Sequence, residues 1–201
     1  MKIKRVFILA LTLIILFGCN KNKINDLEKK ATNIKASYPN DKDSILKALN
    51  LLNQAYMLDS TRLGTNIHLA MLYSSLKNYN KVVYHSRKVL QNDKYNAEAM
   101  VEIGITYERE SATDSATIYY KSAYKTFIIR PQKKELKKVI DLCDAAYMLV
   151  LISNDTTKAI NFVKEHLKNT NKSEARWLYE KSIKMIETVD RKTYVDNFEQ
   201  Y

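Results

Sequence analysis

The chain has few of the residues that interrupt helices. Its 201 residues include only three glycines and two prolines. An all-β domain needs turn chemistry every few residues, so this scarcity excludes one and favours long helices. Cysteine numbers two, and no paired-cysteine metal motif is present. No glycine-rich phosphate loop occurs. His68, His85 and His166 are scattered over three predicted helices, where structural histidines outnumber ligands. Carboxylates are plentiful, but no pair stands out in a cleft-like setting. No serine or cysteine sits beside a recognisable base, as a nucleophile requires. These absences point to a chain that is not an enzyme, with no catalytic residues, no cofactor and no metal. Acidic residues are the minority charge, 22 against 33 basic, giving +11.

The one long hydrophobic run lies at the start. Lys2, Lys4 and Arg5 are followed by Val6 to Phe17, which only Thr12 interrupts. A bilayer span takes about 20 apolar residues, so the run is short for one and suits a secretory signal. It ends in Leu16-Phe17-Gly18-Cys19, which resembles a bacterial lipobox. The resemblance implies cleavage after residue 18, lipid on Cys19 and a tether over 19–23. An uncleaved anchor is the alternative. Several acyl chains hold stably where one holds only reversibly, at about 0.8 kcal/mol per buried methylene. Asn20 is not aspartate, and Asn20 to Lys23 carry no acidic cluster. By analogy with known lipoproteins, that favours the periplasmic face of the outer membrane. Export also excludes nucleic acid as a partner. Removal of 1–18 takes three basic and no acidic residues, and leaves a length that suits one domain. With Cys19 lipidated, Cys143 has no disulfide partner, and its helical context predicts a small core residue.

A pattern recurs every 34 residues. Leu69-Ala70 and Tyr73 return as Ile103-Gly104 and Tyr107. Val82, Val89 and Leu90 return as Ala116, Ala123 and Tyr124, and one period earlier stand Ala48, Ala55 and Tyr56. Apolar spacing predicts nine helices: Ile24 to Ser37, Ser44 to Leu58, Leu63 to Leu76, Asn80 to Asn92, Ala97 to Arg109, Ser115 to Ile128, Gln132 to Ile152, Thr156 to Lys168 and Ser173 to Thr188. Short connections make neighbours antiparallel. Each pair of helices buries its faces only by stacking on other pairs. Tyrosines such as Tyr73, Tyr107, Tyr120 and Tyr124 fall in packing slots.

This repeat resembles the tetratricopeptide repeat. Two copies, Leu63 to Asn96 and Ala97 to Arg130, carry the likeness strongly. An earlier pair matches in its second helix, and a later pair is displaced by about one helical turn. The resemblance implies an all-α, antiparallel helix-pair solenoid over 24–189, capped by the ninth helix, with 190–201 as a tail. It also implies that a partner docks along the first helix of each pair. Those positions are Ile67, Met71, Ser74 and Ser75, then Glu98, Val101, Ile105, Glu108 and Arg109. The face is apolar in the centre and acidic toward the second repeat, which suits an amphipathic or extended segment with a basic flank. Packing within a tight superhelix or against a terminal helix is the equal alternative.

Two other features remain open at this stage. Asp43-Ser44, Asp114-Ser115 and Asp155-Thr156 stand where helices start, and their oxygens can cap free N–H groups for about 1 kcal/mol each. Together with Asp59-Ser60 they also resemble an O-glycosylation sequon at Ser44, Ser60, Ser115 and Thr156. Arg130, Lys133, Lys134, Lys137 and Lys138 form a basic helix face. It is either simply solvated or it contacts anionic lipid, wall polymer or an acidic partner. The expected function is a lipid-anchored scaffold or adaptor that docks another envelope protein within an outer-membrane assembly or secretion complex. The alternative is a lipoprotein that binds glycan or cell-wall polymer through the basic face.

Overall fold

The structure is a computed structural model describing residues 2–131, 134–168, 172–188, 190–196 and 198, with side chains except those of 2–19 and 135. Among the described residues there are ten helices and no strand. They are α1 (Lys2–Ser37), α2 (Lys42–Leu58), α3 (Leu63–Ser75), α4 (Tyr79–Asn92), α5 (Ala97–Arg109), α6 (Thr113–Ile129), α7 (Glu135–Ser153), α8 (Thr156–Leu167), α9 (Ser173–Thr188) and α10 (Arg191–Asp196). The fold is all-α, with helices packed on their sequence neighbours as in a helical-repeat solenoid.

Three expectations change. The first helix begins at Lys2 rather than Ile24, because no proline interrupts the run into it. Residues 20–23, expected as a tether, are therefore helical. Residues 191–196, expected within a tail, form α10, with Tyr194 and Val195 buried. Among the described residues, no helix is long and apolar enough to cross a membrane. The Cys19 side chain lies outside the described residues, as does Lys133.

By its internal packing the chain divides into two compact units, Met1–Lys88 and Val89–Tyr201. In the N-terminal unit α1 packs on α2 and α3. Ala31, Ile45, Ala48, Leu52, Leu69 and Leu72 form its main cluster, and Ile24, Leu27 and Ala55 a second. A polar clasp ties α1 to the start of α3. Arg62 donates to both Glu28 carboxylate oxygens at 2.9 Å, and Thr65 Oγ1 donates to Glu28 Oε1 at 2.6 Å. Burial raises the Glu28 carboxyl, but the Arg62 and Thr65 bonds outweigh it and hold the pKa below its usual value.

In the C-terminal unit α5 packs on α6, α6 on α7, and α7, α8 and α9 on one another. Its two clusters centre on Ile105, Tyr120 and Met148, and on Ala146, Ala159 and Val163. Gly104 fits only as glycine. A Cβ there would stand 2.5 Å from Tyr120 Cε1, on a fully buried ring.

The 34-residue period is also written into the backbone. After α3, Lys77 takes φ 55°, its N–H reaches Ser74 O, and Asn78 N–H reaches Tyr73 O. After α5, Ser111 takes φ 62°, its N–H reaches Glu108 O, and Ala112 N–H reaches Tyr107 O. Each is a left-handed helix stop that satisfies otherwise orphaned carbonyls. The turns before these helices match as well. Asp59 Oδ1 accepts from Thr61 N–H at 2.9 Å, and Asp93 Oδ1 from Tyr95 N–H at 3.1 Å. Neither stop uses glycine, so sequence composition alone does not announce them.

Helix caps follow the expectation in one case of three. Asp155 caps α8 by accepting from Lys158 N–H. At α2 the cap is Asp41, which accepts from Ser44 N–H, and Asp43 lies inside the first turn. At α6 the cap position is Ala112, and Asp114 lies inside the first turn. Both inner aspartates still favour the positive end of the helix dipole.

Candidate docking surface

On α3 the predicted face is partly open. Met71 is 47% exposed, Ile67 and Ser75 are half-buried, and Ser74 is buried. Ser75 Oγ donates to Met71 O at 3.2 Å and accepts from Lys35 Nζ at 3.1 Å. The Ser75 hydroxyl is thus tied into the α1–α3 packing, while Met71 offers an apolar surface.

On α5 the corresponding face is occupied. Val101 and Ile105 are buried in one cluster with Tyr194 and Val195 of α10. Tyr194 stacks on Tyr147 of α7, with centroids 5.2 Å apart. Arg109 Nε and Nη2 donate to Val195 O at 3.0 and 2.6 Å, and Nη2 also to Asp196 O at 3.2 Å. Those carbonyls lie in the last turn of α10, so Arg109 acts as a cap supplied from outside. Arg191 Nε donates to Glu108 Oε1 at 2.6 Å, and Tyr120 Oη donates to Glu108 Oε2 at 2.8 Å. Burial first, and the Glu108 charge next, push the Tyr120 hydroxyl well above its ordinary pKa. Of the two uses open for this face in the sequence, the structure takes packing against a terminal helix. The segment that fills it is apolar at Tyr194 and Val195 with Arg191 on its flank.

Glu98, the remaining predicted docking residue, points its charge elsewhere. Arg130 donates to both Glu98 oxygens at 2.9 and 3.0 Å and to both Asp141 oxygens at 3.2 and 2.5 Å. Lys137 Nζ lies 3.5 Å from Asp141 and 3.9 Å from Glu98. Asp141 is only 1% exposed, so its charge depends on these cations. Two members of the predicted basic face are therefore internal ion-pair partners, while Lys134 and Lys138 are exposed. Nearby Asp144 is raised to about 6, chiefly by burial, then by the charge of Glu98.

No protein-family model matches the sequence. The repeat pattern therefore rests on the residues and hydrogen bonds given above.

The remaining candidates separate by exposure. Ser60 and Thr156 are exposed, Ser115 is half-buried and Ser44 is buried. Cys143 is a buried free thiol against Leu178 O, pushed by burial up to about 12. His166 Nδ1 meets Phe162 O at 2.8 Å, and its ring packs on Phe162. His85 is buried among Tyr56, Tyr73 and Tyr84. Asn66 Nδ2 donates to Ser60 O and Arg62 O, which turns its Oδ1 toward His85. His85 Nδ1 is thus the donor across that 3.0 Å bond. Burial, then Lys81 and Lys88, lower its pKa to about 4, so it is neutral at neutral pH. Among the described residues, no three His, Cys, Asp or Glu side chains converge as a metal site.

Arg191, Tyr194 and Val195 lie outside the residues expected from the repeat. The available signal was local. Asp190 starts α10 by accepting from Thr193 N–H at 2.8 Å and Thr193 Oγ1 at 2.9 Å. Aspartate followed three residues later by threonine, then two apolar residues, marks a helix start.

Proposed function

We propose that this protein is a non-enzymatic, lipid-anchored scaffold of the bacterial envelope that docks a helical segment of another envelope protein. The observation that carries the proposal is the α5 face, where Glu108 and Arg109 flank the apolar Val101 and Ile105. Together they hold a helical segment by its basic flank, its apolar side and its carbonyl end. A surface that binds backbone carbonyls and one flanking charge suits protein recognition. Met71, exposed on α3, offers an apolar surface of its own in the N-terminal unit. The signal and Leu16-Phe17-Gly18-Cys19 support lipidation of Cys19 and an outer-membrane address. Anchoring raises local concentration, and the helical faces supply specificity.

The test is in-cell photo-crosslinking from position 71, followed by mass spectrometry of the adducts. One reproducible envelope-protein adduct at endogenous expression is expected, and a chain that stays uncrosslinked would sink the proposal. For the anchor, mass spectrometry should find acyl chains on an amino-terminal Cys19. A soluble, unmodified mature protein would remove that half.

A further inference from the structure

The α5 face is filled by the chain's own last helix, and the way it is filled suggests a role. The hold on α10 is specific. Arg191 pairs with Glu108, Val195 is buried beside Val101 and Ile105, and Arg109 caps the terminal carbonyls. The hold is also incomplete. Arg191 Nη2 is buried with no hydrogen-bond partner among the described residues, a loss that a better ligand could avoid. α10 has only six residues, far below the length at which a helix persists by itself. Its order therefore comes from docking, and on release it would unwind. A cleft of about 540 Å³ runs along its edge, lined in part by Glu108, Arg109, Asn154, Arg191 and Asp196. An incoming segment has room to engage there before α10 leaves.

We infer that residues 190–196 are a latch that occupies the α5 docking face in cis, and that this face takes in trans a helical turn of the same chemistry. That turn carries a basic residue followed three and four positions later by an aromatic and a β-branched residue, as Arg191, Tyr194 and Val195 do. Its last carbonyls must be uncapped, because Arg109 reads them. The inference rests on the scaffold proposal for its biological use, but its physical content is separate. A closed latch lowers apparent affinity in proportion to the open fraction.

The test uses the chain with its C-terminus intact and a fluorescein-labelled peptide of residues 188–201, with binding read by anisotropy. Arg191→Glu places a carboxylate against Glu108 and opens the latch without altering the receiving face. The variant is expected to bind the peptide at least about tenfold more tightly than the wild type, as an open fraction below about a tenth requires. Adding Arg109→Gln to that variant should weaken the peptide again. Equal binding by wild type and Arg191→Glu, or no saturable binding by either, overturns the inference.

A second measurement covers a variant that fails to fold. Hydrogen exchange of wild-type amides at 191–196 should run at least about thirtyfold faster than those of α5 and α6, the mark of a segment that opens by itself. Equal protection of all three would make α10 a fixed part of the core. Neither assay needs the physiological partner. A failed search for that partner leaves the latch standing, whereas a failed latch removes α5 as a docking face and leaves the scaffold proposal to α3, which crosslinking from position 71 reads separately.

Discussion

The same four positions, read 34 residues apart, give two different surfaces. Ile67, Met71, Ser74 and Ser75 on α3 correspond to Val101, Ile105, Glu108 and Arg109 on α5. The apolar pairs are equivalent, yet Met71 is 47% exposed and Ile105 only 1%. The difference lies in the last two positions. In the N-terminal unit both are serines and present no charge, and Ser75 bonds to its own helix and to Lys35. Glu108 and Arg109 present one charge of each sign, which fits the basic flank and the carbonyl end of a short helix. Burial of an apolar stripe is non-directional, whereas a pair of charges sets direction and register. A repeat thus becomes selective by changing its edge and keeping its centre.

The largest expected effect concerns the clasps that hold each face in place. Arg130→Ala removes both guanidinium bonds from the buried Asp141, leaving Lys137 at 3.5 Å, and should cost about 3–5 kcal/mol. Arg62→Ala, which releases the less buried Glu28, should cost about 1–3 kcal/mol. Urea unfolding followed by hydrogen exchange in each unit reads both, and a cheaper loss at Arg130 would reverse the ranking. Next comes the buried member of the apolar pair. Ile105→Ala should cost about 2–5 kcal/mol.

The third prediction uses pH, to which the units should respond in opposite directions. His85 has a folded pKa lowered to about 4, so the unfolded chain takes the proton first. Its contribution is complete above the unfolded value of about 6.5 and is lost as pH falls toward 4. Asp144 has a folded pKa raised to about 6, so its contribution is complete below about 3.8 and is lost as pH rises through 6. Between pH 7 and 4.5 the N-terminal unit should lose, and the C-terminal unit gain, on the order of 1–2 kcal/mol from these groups. Per-unit hydrogen exchange across that range checks the signs. His85→Gln and Asp144→Asn should each flatten one slope, and parallel slopes in the wild type would refute the assignment.

The smallest effect is at Met71. Met71→Ala should change stability by no more than about 0.5 kcal/mol, since the side chain is exposed. A calorimetric loss near that of Ile105→Ala would mean the α3 face is as closed as the α5 face.

Helices were the most legible level of this chain. Apolar spacing placed α5 and α9 at their observed bounds and most others within two residues, because long stripes average out single errors. The 34-residue period found the buried slots at Leu69, Ala70, Ile103 and Gly104. Features depending on one or two residues were less legible. Asp43 and Asp114 missed the cap position by a short shift, which the spacing of apolar residues does not resolve. α10 was hidden because six residues are too few for a periodic stripe. The basic face misled in part. Lys137 and Asp141 are one turn apart and pair as sequence allows, but Glu98 lies 32 residues before Arg130 and only folding brings it there. On α3 and on α5 alike, what the side chains at the expected docking positions touch depends on residues distant in sequence, such as Lys35 for Ser75 and Arg191 for Glu108.

The buried thiol of Cys143 has a practical consequence. A thiol held at about 12 is almost wholly protonated, and protonated thiols react slowly with alkylating reagents. It lies where α7 meets α9, so reagent reaches it only when those helices part. The rate of its alkylation is therefore a clock for opening of the C-terminal unit. It needs no engineered label, and it can be read separately from the looser motion expected at α10.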